Sequence, residues 1–285
     1  MRPQAEAMKA VLAQPGIQVV PGCGDGLAAR LVEEAGFKIG FASGSSISAM
    51  RLAWPDVDQL TYPDMLDAVS QMVTTAPNVC WLADGDTGYG NAISVQKTIR
   101  GYARAGAAAV LIEDKAWPRP LGQNNAKLVI ERDEAILRLR AAIAAAKEEG
   151  ILLLARTDAR TSRGFDEALA RLKAFVELGA DILFFDSPAT EDEMRAAVAA
   201  CQGRPSIAVT NPGGKHFKPG DDVLSGIGIK MVVYPQEILA STVLAVRAAL
   251  AGLKSGQRAP MASPAELGTA LRNAEYLALD EKLAR

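Results

Sequence analysis

Residues 79–90 read Val-Cys-Trp-Leu-Ala-Asp-Gly-Asp-Thr-Gly-Tyr-Gly, and residues 108–114 read Ala-Ala-Val-Leu-Ile-Glu-Asp. Each is a short apolar run closed by acids, and a longer stretch of helix-forming residues separates the two. An apolar run without alternation is what a parallel strand covered on both faces requires. Working outward, the same unit recurs eight times: Ile17–Val20, Ile39–Ala42, Val79–Ala83, Ala108–Ile112, Ile151–Ala155, Ile182–Phe185, Ile207–Val209 and Met231–Val233. Helices such as Arg132–Lys147 and Asp166–Leu178 fall between them. Eight β-then-α units in about 250 residues predict a single α/β domain, a (β/α)8 TIM-type barrel. A doubly wound open sheet is the alternative, because periodicity does not report closure. The predicted barrel occupies residues 1–255. Residues 256–285 form a Pro-containing link, Gly256–Ala262, and a C-terminal helical arm over Pro264–Leu283.

Composition narrows the function. The 285 residues carry 31 Lys and Arg against 33 Asp and Glu, with no run of like charges. That balance argues against a nucleic-acid or anionic-membrane surface. The chain is 49% apolar but 5% aromatic, so its core is built from Ala, Val, Leu and Ile. Cys23, Cys80 and Cys201 are odd in number, far apart and without metal-ligand spacing, which predicts reduced thiols and a cytoplasmic location. No signal-peptide pattern and no uninterrupted apolar stretch of about 18 residues is present. The single histidine, His216, excludes a multi-histidine metal site, so any metal must be held mainly by oxygen.

In a parallel barrel the chemistry sits on the loops after the strands. After the second run, Ser43-Gly44-Ser45-Ser46 offers backbone N–H groups and hydroxyls to a carboxylate or phosphate; an ordinary Gly-Ser turn is the alternative. After the third and fourth runs, Asp84, Asp86 and Glu113 converge as hard oxygen donors. A divalent cation such as Mg²⁺, keeping several waters, would offset their repulsion; solvated loop acids and helix caps are the alternative. After the fifth run, Arg156 is suited to grip a substrate carboxylate in a forked pair, or to pair structurally with Asp158. Asp186-Ser187, Thr210-Asn211 and Tyr234-Pro235 close the remaining runs. Together these residues describe Mg²⁺ and Arg holding a small anionic oxyacid. A metal beside a 2-oxo or 2-hydroxy acid stabilises the enolate left when the adjacent bond breaks.

Ser43-Gly44-Ser45, Trp54-Pro55-Asp56, Asp84 to Gly90, Ile112 to Lys115, Ala155 to Ala159 and Tyr234-Pro235, in this order, resemble the isocitrate lyase and phosphoenolpyruvate mutase superfamily, including its methylisocitrate lyase, dimethylmalate lyase and oxaloacetate decarboxylase branches. The resemblance implies a Mg²⁺-dependent carbon–carbon lyase or decarboxylase, with Mn²⁺ as a substitute, acting on a small 2-oxo or 2-hydroxy di- or tricarboxylate. It implies a homotetramer, a dimer of dimers, with the C-terminal arms exchanged. By that similarity Asp84 binds the metal directly while Asp56, Asp86 and Glu113 hold its waters. Ser43, Gly44, Ser45, Arg156, Asp186 and Asn211 are the expected substrate contacts. Arg156, Asp56, Tyr89 and Gln123 are the expected catalytic residues, and Trp117 to Lys127 matches the gating loop.

The chain also departs from that pattern. The C–C lyases carry Lys-Lys/Arg-Cys-Gly-His in the gating loop, where this chain reads Arg119-Pro120-Leu121-Gly122-Gln123. Leu121 cannot donate a proton. The mutase branch uses an Asn in this loop, which Asn124 or Asn125 would have to supply. Asp186 stands for the family's Glu after strand six, Pro235 for a decarboxylase His after strand eight, and His216 is either near the mouth or a solvated loop residue. Water or Tyr89 is then the expected proton donor. Phosphonopyruvate-type P–C chemistry, as a mutase or hydrolase, and a catalytically reduced carboxylate-binding barrel remain the alternatives.

Overall fold

A computed structural model describes residues 1–118, 127–210 and 220–284. Its eight strands are β1 Gln18–Cys23, β2 Ile39–Ala42, β3 Cys80–Asp84, β4 Ala109–Glu113, β5 Leu152–Thr157, β6 Ile182–Phe185, β7 Ile207–Val209 and β8 Met231–Tyr234. All the pairings are parallel, in the order β6-β5-β4-β3-β2-β1-β8-β7. Because β1 lies between β2 and β8, the ends of the chain's sheet curl towards each other, and the doubly wound alternative falls. The last gap, β6 to β7, is crossed, among the described residues, by a single bridge between Leu183 and Ser206, with the Leu183 N–H donating to the Pro205 carbonyl at 3.0 Å. The result is a nearly closed (β/α)8 barrel.

Two apolar layers hold it. Inside the strands, Val20, Ile39, Phe41, Leu82, Leu111, Leu154, Phe184, Ile207 and Val233 pack with Ala5, Met8 and Leu12 of the helix Pro3–Ala13. That helix therefore plugs the end of the barrel where the strands begin and leaves the opposite end open. Outside, the helix faces bury Ala, Val, Leu and Ile against the other face of each strand. Trp81 belongs to this outer layer. It fits because Gly40 on β2 has no side chain: a Cβ there would lie 2.6 Å from the Trp81 ring.

Helix Arg132–Glu149 and helix Phe165–Leu178 match their sequence expectations to within two residues. The arm differs. The expected continuous helix over 264–283 is broken into Pro264–Ala270 and Asn273–Leu283. Arg272 between them adopts a left-handed φ of 55° and pairs with Glu33 of helix Gly26–Glu34. The interruption thus follows from docking the first arm helix on the barrel. Helix Glu237–Ser255 has 19 residues and, by length and composition, could cross a membrane; only 6% of its apolar stretch is buried. Leu244, Leu250 and Leu253 on it, and Tyr276, Leu277 and Leu283 on the last helix, are exposed.

Candidate active site

At the open end, the strand ends and following loops enclose a cavity of about 360 Å³. Ser43, Ser45, Asp56, Asp84, Asp86, Glu113, Arg156 and Asp186 all line it, together with Lys115 and Lys127. Strand register brings them together: Asp84 is opposite Leu111, one turn of the pleat from Glu113, and Glu113 is opposite Arg156.

The turn after β3 is shaped by its glycines. The Gly85 N–H donates to the Leu111 carbonyl at 3.0 Å, and the Asp86 carbonyl accepts from the Glu113 N–H at 2.8 Å. Asp86, Gly88, Tyr89 and Gly90 all have positive φ. A Cβ on Gly85 would sit 2.6 Å from the Leu111 carbonyl oxygen, and one on Gly88 would sit 2.4 Å from Val95. Gly85→Ala is therefore expected to cost about 1–3 kcal/mol through overpacking. A urea midpoint unchanged from the parent would contradict this account of the turn. Asn91 then caps the helix Ala92–Ala105 by accepting from the N–H groups of Ile93 and Ser94.

The carboxylate of Asp84 accepts from the Gly44 N–H at 3.1 Å and from the Asp86 N–H at 3.2 Å. Burial, aided by Glu113, pushes its pKa up to about 6. Burial also holds Asp86 well above the usual carboxylate range, with Asp84 and Glu113 adding to it. Five acids on the cavity wall, Asp56, Asp84, Asp86, Glu113 and Asp186, face three bases, Lys115, Lys127 and Arg156. Among the described residues, no three His, Cys, Asp or Glu side chains gather tightly enough to enclose a metal on their own. The donor set therefore fits a hard cation that takes one carboxylate directly and reaches the others through water. A divalent cation bound there would release protons, with apparent affinity falling about tenfold per pH unit below the raised pKa of Asp84. Calorimetry in buffers of different ionisation enthalpy measures this; affinity that is flat from pH 7 to pH 5 would refute it.

Arg156 is less free than its sequence position suggests. Its Nε and Nη2 form a forked pair with Asp158 at 2.8 and 2.7 Å, and it also lies 3.3 Å from both Glu113 and Asp186. Burial pulls the pKa of Asp158 up, but Arg156 and Lys127 overcome this and hold it well below the usual carboxylate range. The structural pair and the substrate-facing position are thus combined: one edge of the guanidinium is anchored while the residue still borders the cavity. Asp158 is positioned in turn by Asp114, which accepts from the Asp158 N–H and the Thr157 hydroxyl, each at 2.8 Å. Arg171, 1% exposed, donates to the same carboxylate at 3.2 Å.

Three further residues belong to the site. Lys115 lies 2.9 Å from Glu113 and 3.3 Å from Asp58. Lys127 pairs with Asp186, and with Asp158 at 3.1 Å. Asp58 carries no sequence signal, since its partner Lys115 lies far along the chain, and Lys127, placed in the sequence only as the end of the gating loop, gives no sign there of its pairing with Asp158 and Asp186. Lys115 was visible as the residue closing Glu113-Asp114-Lys115.

Tyr89 is a different matter. Its hydroxyl donates to Asp86 at 2.8 Å and the residue does not line the cavity. Burial, with Asp86 and Tyr102 beside it, raises its pKa well above that of a free phenol. A phenol held this way is a poor proton donor, which counts against the donor role expected of it. Asp56 is exposed at the cavity rim. Gly44 stands behind the wall with its N–H on Asp84. Gln123 and Asn211, with Leu121, Asn124, Asn125 and His216, lie outside the described residues.

Known proteins give the arrangement a context. The family model described as phosphoenolpyruvate phosphomutase matches residues 8–254. A chloroplastic carboxyvinyl-carboxyphosphonate phosphorylmutase of Arabidopsis thaliana is 34% identical, covering 86% of this chain and 73% of its own. A 2,3-dimethylmalate lyase of Eubacterium barkeri is 34% identical over 81% of this chain and 79% of its own. Among solved structures, oxaloacetate acetylhydrolase in complex with 3,3-difluorooxalacetate superposes with a TM-score of 0.91 at 28% identity, covering 99% and 97% of the two chains. Phosphonopyruvate hydrolase in complex with oxalate and Mg²⁺ superposes with a TM-score of 0.86 at 26% identity, covering 99% of each chain. With the motif order, the barrel and this match over most of its length, the chain belongs to the phosphoenolpyruvate phosphomutase family.

Proposed function

We propose that the protein is a carbon–carbon lyase or decarboxylase that cleaves a small 2-oxo or 2-hydroxy di- or tricarboxylate by way of an enolate. The observation that carries this reading is the single cavity in which Ser43 and Ser45, the acids Asp84, Asp86 and Glu113, and the Arg156–Asp186 pair face one another. The relatives named above support it, being enzymes of small carboxylates. Mg²⁺, with Mn²⁺ as a substitute, is the proposed cofactor, held by Asp84 and through water by Asp56, Asp86 and Glu113. Bound there, it supplies Lewis-acid stabilisation of negative charge on the substrate's oxygens.

The chain's own residues do the rest. The hydroxyls of Ser43 and Ser45, 3.1 Å apart, receive the carboxylate next to the oxo or hydroxy carbon. Arg156, anchored by Asp158, presents fixed positive charge without reorganising during the reaction. Lys127 steadies Asp186, and Tyr89 steadies Asp86. Loss of CO₂ from a 2-oxo diacid needs no base to begin bond cleavage. Protonation of the enolate carbon is assigned to water, since Leu121 stands where the lyases have cysteine and Tyr89 is turned to Asp86. Asn211 and Gln123 remain proposed contacts from loops outside the described residues.

Mg²⁺-dependent release of pyruvate or CO₂ from oxaloacetate, 2-methylisocitrate, 2,3-dimethylmalate and phosphonopyruvate tests this reading. Turnover of one of the first three is expected. Turnover of phosphonopyruvate alone would favour P–C chemistry, the second reading, which the names of two relatives and the missing loop cysteine support. No turnover, with oxalate still binding in a Mg²⁺-dependent way, would overturn the enzyme assignment in favour of a carboxylate-binding barrel.

The exposed apolar faces of Glu237–Ser255 and Asn273–Leu283 are proposed as subunit contacts, in a homotetramer with exchanged arms. Large apolar side chains exposed along whole helices are costly to leave in water and mark association surfaces. Sedimentation of the whole chain should give four copies of the 30.0 kDa subunit; a monomer would refute the assembly. A cytoplasmic setting, without nucleic-acid or membrane partners, is proposed from the even charge balance and the three free, buried cysteines.

A further inference from the structure

Between Leu52 and the helix Tyr62–Thr75 the chain crosses the rim of the barrel in an open loop, with Trp54 and Val57 exposed. Its two ends are fixed. At the start the Ser48 hydroxyl is shared between the Trp54 and Pro55 carbonyls, 3.2 Å from each, and at the far end Leu60 is buried. Asp56 lies between these anchors and borders the cavity. Among the described residues, no hydrogen bond or ion pair fixes its carboxylate. Where Asp56 sits is therefore decided by the loop that carries it.

Two residues on, Asp58 turns inward. Its φ is 61°, and its side chain is 4% exposed in a loop otherwise open to water. A left-handed Asp keeps that conformation where its surroundings hold it. One holding contact reaches across the rim: the Asp58 carboxylate lies 3.3 Å from Lys115 Nζ. Lys115 in turn lies 2.9 Å from one carboxylate oxygen of Glu113, while Arg156 lies 3.3 Å from the other. One ammonium group thus joins the loop after β2 to an acid at the end of β4. Desolvation offsets most of the attraction in a pair this buried, so its contribution is to be sought in the geometry it sets. We propose that Asp58 and Lys115 are positioning residues: their ion pair ties the loop after β2 to Glu113 and so keeps Asp56 at the cavity, where Asp56 and Glu113 serve the same divalent cation. This rests on the metal-assisted reading above and adds to it the two residues that set the span of the site. Asp58 does not itself border the cavity, so it acts through Asp56 and not on substrate.

The test is a calorimetric titration of Mg²⁺ into the parent, Asp58→Asn, Lys115→Met and the double variant, with circular dichroism verifying each fold. Charge and position predict different patterns. Acting by charge alone, loss of the anion would weaken cation binding, loss of the ammonium would strengthen it, and the double variant would return to the parent. Acting by position, each single variant weakens Mg²⁺ binding about tenfold, the scale for groups that orient a metal's ligands from behind, and the double variant is no worse than either. Opposite signs in the single variants, or unchanged affinity in both, overturns the proposal. A second readout needs no metal: in Mg²⁺-free solution thermolysin, which cuts before Val and Leu, should cleave at Val57 or Leu60 faster in both single variants than in the parent. If Lys115→Met does not fold, cleavage of Asp58→Asn decides. If the parent neither binds Mg²⁺ nor turns over any of the acids named above, the functional reading fails, and the tie is judged from cleavage by itself. Equal cleavage rates in the parent and Asp58→Asn then overturn the tie separately.

Discussion

Asp84→Ala is expected to reduce Mg²⁺-dependent turnover by on the order of 10³-fold or more, the scale of losing a central electrostatic contact to the developing charge. The carboxylate occupies the centre of the acid group: it takes the N–H groups of Gly44 and Asp86 and stands against Glu113. Its removal should not unfold the protein. Burial and Glu113 both oppose its ionised form, so the metal-free variant loses an unfavourable charge along with two hydrogen bonds. The melting temperature without metal is expected within a few degrees of the parent's, while the stabilisation that Mg²⁺ gives the parent disappears. Asp84→Asn, which keeps the acceptor facing Gly44, should behave alike. Undiminished turnover in either variant would refute the metal assignment.

Arg156→Ala should have the opposite balance, a large loss of stability along with activity. Asp158 has a fully buried side chain, and Glu113 and Asp186 are nearly so. Removing the guanidinium leaves these carboxylates short of compensation, which typically costs about 3–5 kcal/mol. For a chain of this size that is a fall of about 10 °C in melting temperature. The sign with pH distinguishes this from a simple packing defect. In the parent, the low pKa of Asp158 contributes stability that is present above the ordinary carboxylate pKa and is lost as the solution is acidified below it. Without Arg156, burial works unopposed by its main partner and raises the folded pKa, so the variant should be destabilised more at pH 8 than at pH 5. Arg156→Lys should recover much of the stability but not the forked grip. Equal urea midpoints for parent and Arg156→Ala at pH 8 would sink this account.

Strands β2 to β8 were legible because each is an apolar run closed by a polar residue, as β3 and β4 show most plainly; β1 was legible only in part, because it leaves Val19 exposed and runs on through Pro21-Gly22 to Cys23. The convergence of Asp84, Asp86 and Glu113 was legible from strand order alone, since neighbouring parallel strands end at the same rim. The charge partners were not. Whether Arg156 meets a substrate or Asp158 depends on where Asp114 holds the β5 loop, and Asp114 lies 43 positions from Thr157 and 57 from the Arg171 that pairs with it. Tyr89 reads as a phenol at the mouth, but the positive φ values of the β3 turn carry it behind Asp86. The break in the arm escaped notice because Arg272 has no helix-breaking chemistry; its partner Glu33 sets the bend.

The single bridge between β6 and β7 also bears on how the barrel opens. Strands β7 and β8 are tied to β1, and β2 to β6 form the rest of the ring, so the weakest line around the barrel is already drawn. Native-state hydrogen exchange should find the amides of β7 the least protected of any strand, and those of β3 to β5 protected to the level of global unfolding. Uniform protection around the ring would show that the side-chain layers, not the backbone ladder, set its cooperativity. An enzyme whose barrel parts first at the seam beside its substrate has local opening and access to the site governed by the same small set of contacts.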